Sequence, residues 1–507
     1  MTRMATLWTR RLSTWPWTSN VPLTVLGASA VATIAGILIW GAVTVAAPTS
    51  NKFSWTRLVA HPGTISLNVA YPTVGETEQL IARGLPPSTA VSLVWQTVQG
   101  RWKVDGPTFI GAKYRYGTAT LGHGVSGSHG SLRLRFSIPQ GFGGTHLLGL
   151  QVASGTLAAE GSVTVVPSVT LRSSQVPQGG FFQFTMTGVG YQPYFALFPV
   201  TYDNHLTGNV TAVSTRGTAH FAVRAEGVGL HEISVNNGVM GGPYLNEQQS
   251  PFPYMPTFSF PVTVLPETPH NTTDKLPTLQ PAPVGKFVAN PASGVVGSTF
   301  TLTGHGLKSH QHYQVTWWTV KGSHVSGQGY ATEAIPFGLV TPNAHGAFKV
   351  IDTVPSDLGG PPHRITLSLG QHVIAATTFR IFPKVETVAP DPAPQGSLVT
   401  ITILGGGWTD YDNIYSVDYD NSFVGFGCAF NSQGNLQIQL RATGKPGLHF
   451  IDIYPSVWKG TQSLPNYYLV PQLTYNADHP GDWLPAFHVV LRVTAPRQAG
   501  SHPRLPS

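Results

Sequence analysis

Apolar and polar residues take turns over short runs of this chain, and glycines close the runs. Residues 297–307 read GSTFTLTGHGL and residues 396–408 read GSLVTITILGGGW. In the first run Phe300 and Leu302 share a face, the period-two pattern of a strand with one side buried. The glycines that follow supply backbone angles that other residues resist. VSLVW (91–95) and YQVTWW (313–318) read as further strands. Many such runs between Gly/Pro turns predict an all-β fold.

One stretch breaks the pattern. Residues 22–47 carry no charge in twenty-six positions. As a helix they would reach roughly 39 Å, enough for a hydrocarbon core of about 30 Å. Arg3, Arg10 and Arg11 precede it with no acidic residue. Positive flanks stay inside, so residues 1–21 are expected to be a cytoplasmic head and the bulk extracytoplasmic. Trp15 and Trp17 sit where amphipathic rings favour the headgroup region. The rival reading is a cleaved signal peptide, because 44–46 (TVA) resembles a cleavage site; the apolar run is longer than a signal core. A small-residue row, Ala28, Ala32 and Gly36, would let two such helices approach, which allows a homo-oligomer.

Two modules each recur. Residues 191–204 (YQPYFALFPVTYDN) match 408–421 (WTDYDNIYSVDYDN) without a gap, and Pro177-Gln178-Gly179 matches Pro394-Gln395-Gly396. Gly229-Leu230-His231 matches Gly447-Leu448-His449. We name this module B. A second pair aligns 94–100 (VWQTVQG) with 316–322 (TWWTVKG), and Gly143-Gly144 and His146 with Gly359-Gly360 and His363. We name this module A. The expected order is A–B–A–B: a transmembrane helix at 22–47, then A at 53–167, B at 168–264, a Pro-rich extended linker at 265–285, A at 286–383, B at 384–494 and a disordered tail at 495–507.

Gly-opened alternating runs in units of about this size resemble bacterial immunoglobulin-like repeats of the IPT/TIG type. The resemblance covers the first third of each module. It implies tandem β-sandwiches strung as beads, as on cell-surface adhesins or beside secreted enzymes. Trp95 and Trp317, each inside a strand-like run, fit the buried Trp of such sandwiches.

Composition narrows the setting. Charged residues make up 10% of the chain, against a usual level of about 25%. The 29 Lys and Arg, less the three of the head, leave 26 against 22 acidic residues. No run of Lys and Arg occurs, which argues against nucleic acid as a partner. Few carboxylates leave acid little to disrupt, so a fold that persists at about pH 3 is expected, with 19 His working against it. Cys428 is the single cysteine, so no intramolecular disulfide forms. Its apolar neighbours predict a buried thiol.

Candidate chemistry is sparse. Asp410, Asp412, Asp418 and Asp420 form the densest acidic cluster and are the weak candidate for a Ca²⁺ site. In the first B module only Asp203 persists, so a structural Asp-Asn turn is the favoured reading. His305, His310 and His312 lack companions for a tetrahedral metal site, although 310 and 312 would share a strand face. His123 and His129 read as exposed loop residues. No G-x-S-x-G, H-E-x-x-H or phosphate loop is present, so no enzyme and no cofactor are expected.

Each B module also carries a long aromatic insertion. The first, at 236–257, holds Tyr244, Phe252 and Tyr254; the second, at 454–486, holds Trp458, Tyr467, Tyr468, Tyr475 and Trp483. Loops of this length are commonly functional or specially packed. Exposed rings suit a cell-wall glycan or another envelope protein; otherwise they cover sandwich edges. The expected function is binding, adhesion or structure at the cell envelope. The alternatives are a hydrolase with accessory sandwiches and a spacer subunit of a surface layer.

Overall fold

Alternation becomes burial in the computed structural model, which describes residues 58–239, 241–252, 254–322, 329–429, 433–458 and 469–496. The head, the apolar segment 22–47, the tail from 497, and Tyr467 and Tyr468 lie outside those residues. Among the described residues no helix is long and apolar enough to cross a membrane. A 3₁₀ turn lies at Glu247–Gln249.

The first seven strands are β1 (Leu58–Leu67), β2 (Thr77–Arg83), β3 (Ala90–Asp105), β4 (Thr108–Val125), β5 (Leu132–Ser137), β6 (Gly144–Val152) and β7 (Leu157–Val165). They form one sheet in the order β4-β3-β6-β7-β1-β2-β5. The sheet curls until Gly122 and Gly124 of β4 lie against Leu134 and Leu132 of β5. Three pairs of facing sheets follow. In the first pair, Phe181–Thr187 lies between Ser168–Leu171 and Ala219–Arg224, opposite a five-stranded sheet that includes Phe198–Tyr202 and Gly229–Val235. In the second, Thr299–Gly304 is the middle strand, opposite a sheet containing Tyr313–Gly322 and His363–Leu369. In the third, Leu398–Leu404 is the middle strand, opposite Ile414–Tyr419, Gly447–Ser456 and Phe487–Thr494.

Four apolar cores result. Trp95 and Leu148 lie in the first, Phe184 and Phe198 in the second, Phe300 and Trp317 in the third, Ile401 and Ile453 in the fourth. Each such side chain contributes about 1.5–3 kcal/mol by leaving water. Both tryptophans are core residues, as their strand setting implies, and each stacks on a buried histidine, His146 or His363.

The sandwiches are not strung as beads. The described residues all fall within one compact unit. The stretch expected to be an extended linker is docked. Thr272–Thr273 adds a short antiparallel strand to Phe487–Thr494. Val490 donates its backbone N–H to Asn271 Oδ1 at 2.7 Å, and Val284 and Ala376 exchange backbone hydrogen bonds. Polar side chains that read as loop chemistry thus satisfy the edge of a sheet.

Three smaller expectations also change. His310 sits in a turn with φ of 58°, ahead of Tyr313–Gly322, so it shares no strand face with His312. His123 lies within β4, where its Nδ1 meets the Ser92 hydroxyl at 3.0 Å. Cys428 is half-buried, because Ser422–Cys428 is the edge strand of its sheet.

Candidate functional site

The insertion of the last sandwich is where the chain meets itself. Its stretch 469–486 enters between sandwiches. Leu473 packs against the second core. Gly208 lacks a Cβ where Pro471 O and Leu473 approach, at distances of 2.8 and 2.7 Å from where one would stand. That close approach lets Asn209 and Leu473 bond through their backbones, with Asn209 N to Pro471 O at 2.8 Å and Leu473 N to Asn209 O at 2.9 Å. Asp478 accepts hydrogen bonds from Trp102 Nε1, Thr211 Oγ1, Val213 N, Ser214 N and Ser214 Oγ, at 2.6–3.0 Å. One carboxylate therefore joins three sandwiches.

A second seam runs beneath. Phe109, near the tip of the β3–β4 hairpin, shares a small core with Val457, Tyr475 and Leu484. Its N–H donates to Asp410 Oδ2 at 2.8 Å. Arg224 of the second sandwich pairs with Asp452 of the fourth at 2.7 Å, both fully buried. His488 Nδ1 meets the same Asp452 oxygen at 2.9 Å. Burial alone would raise Asp452, but His488 and Arg224 hold it below the ordinary carboxylate range. Glu226 and Asp418 are also buried here. Desolvation pushes both well above that range, and the negative charge of Asp452 adds to it. A cleft of about 280 Å³ opens over this layer, with Phe181, Gln183, Asp274, Tyr454, Gln472 and His488 among its walls. Its lining mixes aromatic and polar side chains with aliphatic ones, Ala222 and Leu473 among them.

The aromatic candidates scatter over these seams. Tyr254 stacks on Tyr71 of the first sandwich, centroids 4.6 Å apart and planes within 9°. Phe252 packs against the second core and touches Tyr194 and Phe195. Tyr244 is half-buried, its N–H bonded to Asn237 O. Trp458 is half-buried and its N–H bonds Asp410 O at 2.8 Å. Trp483 lies edge-on to Phe382, centroids 5.9 Å apart. Tyr467 and Tyr468 lie outside the described residues.

The four aspartates do not gather into a site. Asp410 and Asp412 are buried in the turn before Ile414–Tyr419; there Asp412 Oδ1 accepts the Thr409 N–H at 2.7 Å. Asp418 is buried within the strand. Asp420 is in the following hairpin, where it binds His449 Nδ1 at 2.6 Å and Phe450 N at 2.9 Å. The hairpin is the expected Asp-Asn turn: Asp420 and Asn421 have φ of 50° and 54°, and Asp203 and Asn204 have 47° and 66°. Among the described residues no three His, Cys, Asp or Glu side chains stand together as a metal would need.

One surface was missed in reading the sequence. The register of β3 and β4 sets Arg101 directly opposite Lys113, with Lys103 and Arg115 beside them. The signal was present as two cation pairs in alternation, Arg101/Lys103 and Lys113/Arg115, on either side of the Asp105-Gly106-Pro107 turn.

No family model matches the chain, and no curated protein matches it. Solved structures aligned with it include a Salmonella alpha-2-macroglobulin reacted with methylamine, with 9% identity, 86% of this chain and 31% of that one, and a TM-score of 0.18. An ectodomain fragment of ICAM-5 aligns at 13% identity over 86% of this chain and 100% of that one, also at 0.18. The sporulation control protein Spo0M from Bacillus subtilis aligns at 10% over 40% of this chain and 91% of that one, at 0.15. The chain spans about a third of the length of the Salmonella macroglobulin. At these scores the likenesses carry no argument, and the sandwich architecture rests on the sheets and cores themselves.

Proposed function

We propose that this chain is a membrane-anchored, extracytoplasmic protein of the cell envelope, with IPT/TIG-like sandwiches in A–B–A–B order and a binding or structural role. Support for the order comes from interactions made twice. His146 sits between Gln96 O and Phe142 O, at 2.9 and 2.8 Å, and His363 between Trp318 O and Leu358 O, at 3.0 and 2.6 Å. His231 links Asp203 to Gly227 O, and His449 links Asp420 to Lys445 O. Gly143 and Gly359 each lack a Cβ where a neighbouring glycine carbonyl, Gly188 O or Gly405 O, comes close. Support for the anchor comes from residues 22–47 and the three arginines before them.

The observation that carries the binding or structural role is the seam. Loops long enough to be recognition elements are spent in part on joining sandwiches, through Asp478, Leu473 and the Tyr71–Tyr254 stack. The result is a fixed surface rather than swinging modules. The contact set proposed for a glycan or envelope protein is Tyr467, Tyr468 and Trp483, from their place in the long aromatic insertion. In the full-length chain, Tyr467, Tyr468 and Trp483 changed together to Ala should weaken attachment to wall material while the melting temperature stays nearly unchanged. Unaltered attachment by a folded triple variant would move the contact elsewhere, and unfolding would assign the rings to packing.

A further inference from the structure

The β3–β4 hairpin is a two-faced ribbon. Trp102, Val104 and Phe109 face inward, onto the fourth sandwich. Tyr114 and Tyr116 pack with Phe142 and Tyr191 at the joint between the first two sandwiches. Gly100 lies so close to the second sandwich that a Cβ would stand 2.5 Å from Val213 O. The ribbon is therefore held along one side.

Its other side presents Arg101, Lys103, Lys113 and Arg115, all exposed. They border a hollow of about 630 Å³. Arg101 and Lys113 are direct cross-strand partners. Like charges in that position destabilise a sheet. Arg115 donates to Gln99 Oε1 at 2.9 Å, a neutral partner. Asp105 lies at the tip beyond Lys103, and none of the ion pairs among the described residues joins it to this group. In a chain with 10% charged residues, four cations meet on one short ribbon at a cost to its stability.

The geometry points to a binding surface for an acidic polysaccharide. Residues two apart on a strand are about 6.6 Å apart, so the cations repeat at that interval along the ribbon. This interval suits a linear polymer with a charge on each repeating unit, where a single small anion would reach one pair only. The exposed side offers a membrane no apolar stripe to insert, since its exposed large apolar side chains, Ile110 at the tip and Val125 at the far end of β4, stand apart. Single-stranded nucleic acid binds on stacking rings, and the Tyr114 ring is turned into contacts with Phe142 and Tyr191. The surface uses none of the anchor or the aromatic loops, so its failure and theirs are separable.

The test measures retention of the full-length chain on immobilised heparin and on polygalacturonate, with neutral dextran as reference and salt as the eluent. Wild type should be retained on both acidic polymers and released as salt rises. Arg101→Gln with Lys113→Gln should weaken binding about tenfold or more, with a melting temperature equal to or above wild type. Arg133→Gln with Arg135→Gln, exposed on β5, should bind as wild type does. Lys103→Gln with Arg115→Gln repeats the test should the first pair fail to fold. Wild-type retention by both ribbon variants overturns the assignment. So does ribbon-dependent binding to phosphatidylglycerol vesicles or single-stranded DNA without binding to either polysaccharide.

Discussion

At the scale of single residues, buried carboxyls set the response to pH. Asp412 is pushed up to about 7 by burial, although the hydrogen bond from Thr409 and the nearby charge of Arg380 pull against it. The folded chain then holds a proton that the unfolded chain releases near the ordinary value of 3.8. Stability from this group is fully present below about pH 3.8 and is lost as pH rises through about 7. Glu226 and Asp418 carry the same sign. His479, lowered by burial to about 4, His146, lowered by burial, and Asp452 act oppositely and lose stability on acidification. Asp412→Asn removes one acid-favouring group and keeps the Thr409 contact. Urea midpoints at pH 4, 5.5 and 7 should show wild type losing stability relative to the variant as pH rises, by up to about 4 kcal/mol. Parallel curves would mean that Asp412 is ionised in the fold.

At the scale of elements, local chemistry was legible and register was not. Phe300 and Leu302 are core residues because a period of two needs nothing beyond neighbouring residues to be read. The Asp-Asn hairpins were legible because two positive φ angles demand such residues. The ribbon of cations was not, because Arg101 and Lys113 meet only once the strands pair. Residues 265–285 misled for a related reason. Asn271 and Asp274 look like linker chemistry, yet Asn271 takes the Val490 N–H, and Asp274 Oδ2 takes the Ala486 N–H at 3.2 Å. Those bonds should protect the segment. Changing Asn271 and Asp274 to Ala should speed proteolytic cutting within 265–285 relative to wild type, read by fragment mapping over time. Equal rates would mean that the docked strand does not hold in solution.

At the scale of the whole molecule, the seams decide how many parts unfold. Four separate cores would melt separately if the joints were weak, as expected of beads on a string. Here the joints contain buried charge and shared backbone. Arg224 and Asp452 are both buried, and removing one partner of such a pair costs about 3–5 kcal/mol because the other charge is left alone. Asp478 satisfies the backbone N–H groups of Val213 and Ser214 together with Trp102 Nε1, so its loss strands donors on two other sandwiches. Full-length wild type should therefore give one calorimetric transition for the sandwiches. Asp478→Ala combined with Asp452→Asn should split it, with the separated transitions lying below the wild-type one. Both substitutions act at seams and leave the four apolar cores in place, so far-ultraviolet circular dichroism before heating should match wild type. Two or more transitions already present in wild type would show that the seams are too weak to couple the sandwiches, and that the surface they present is not fixed.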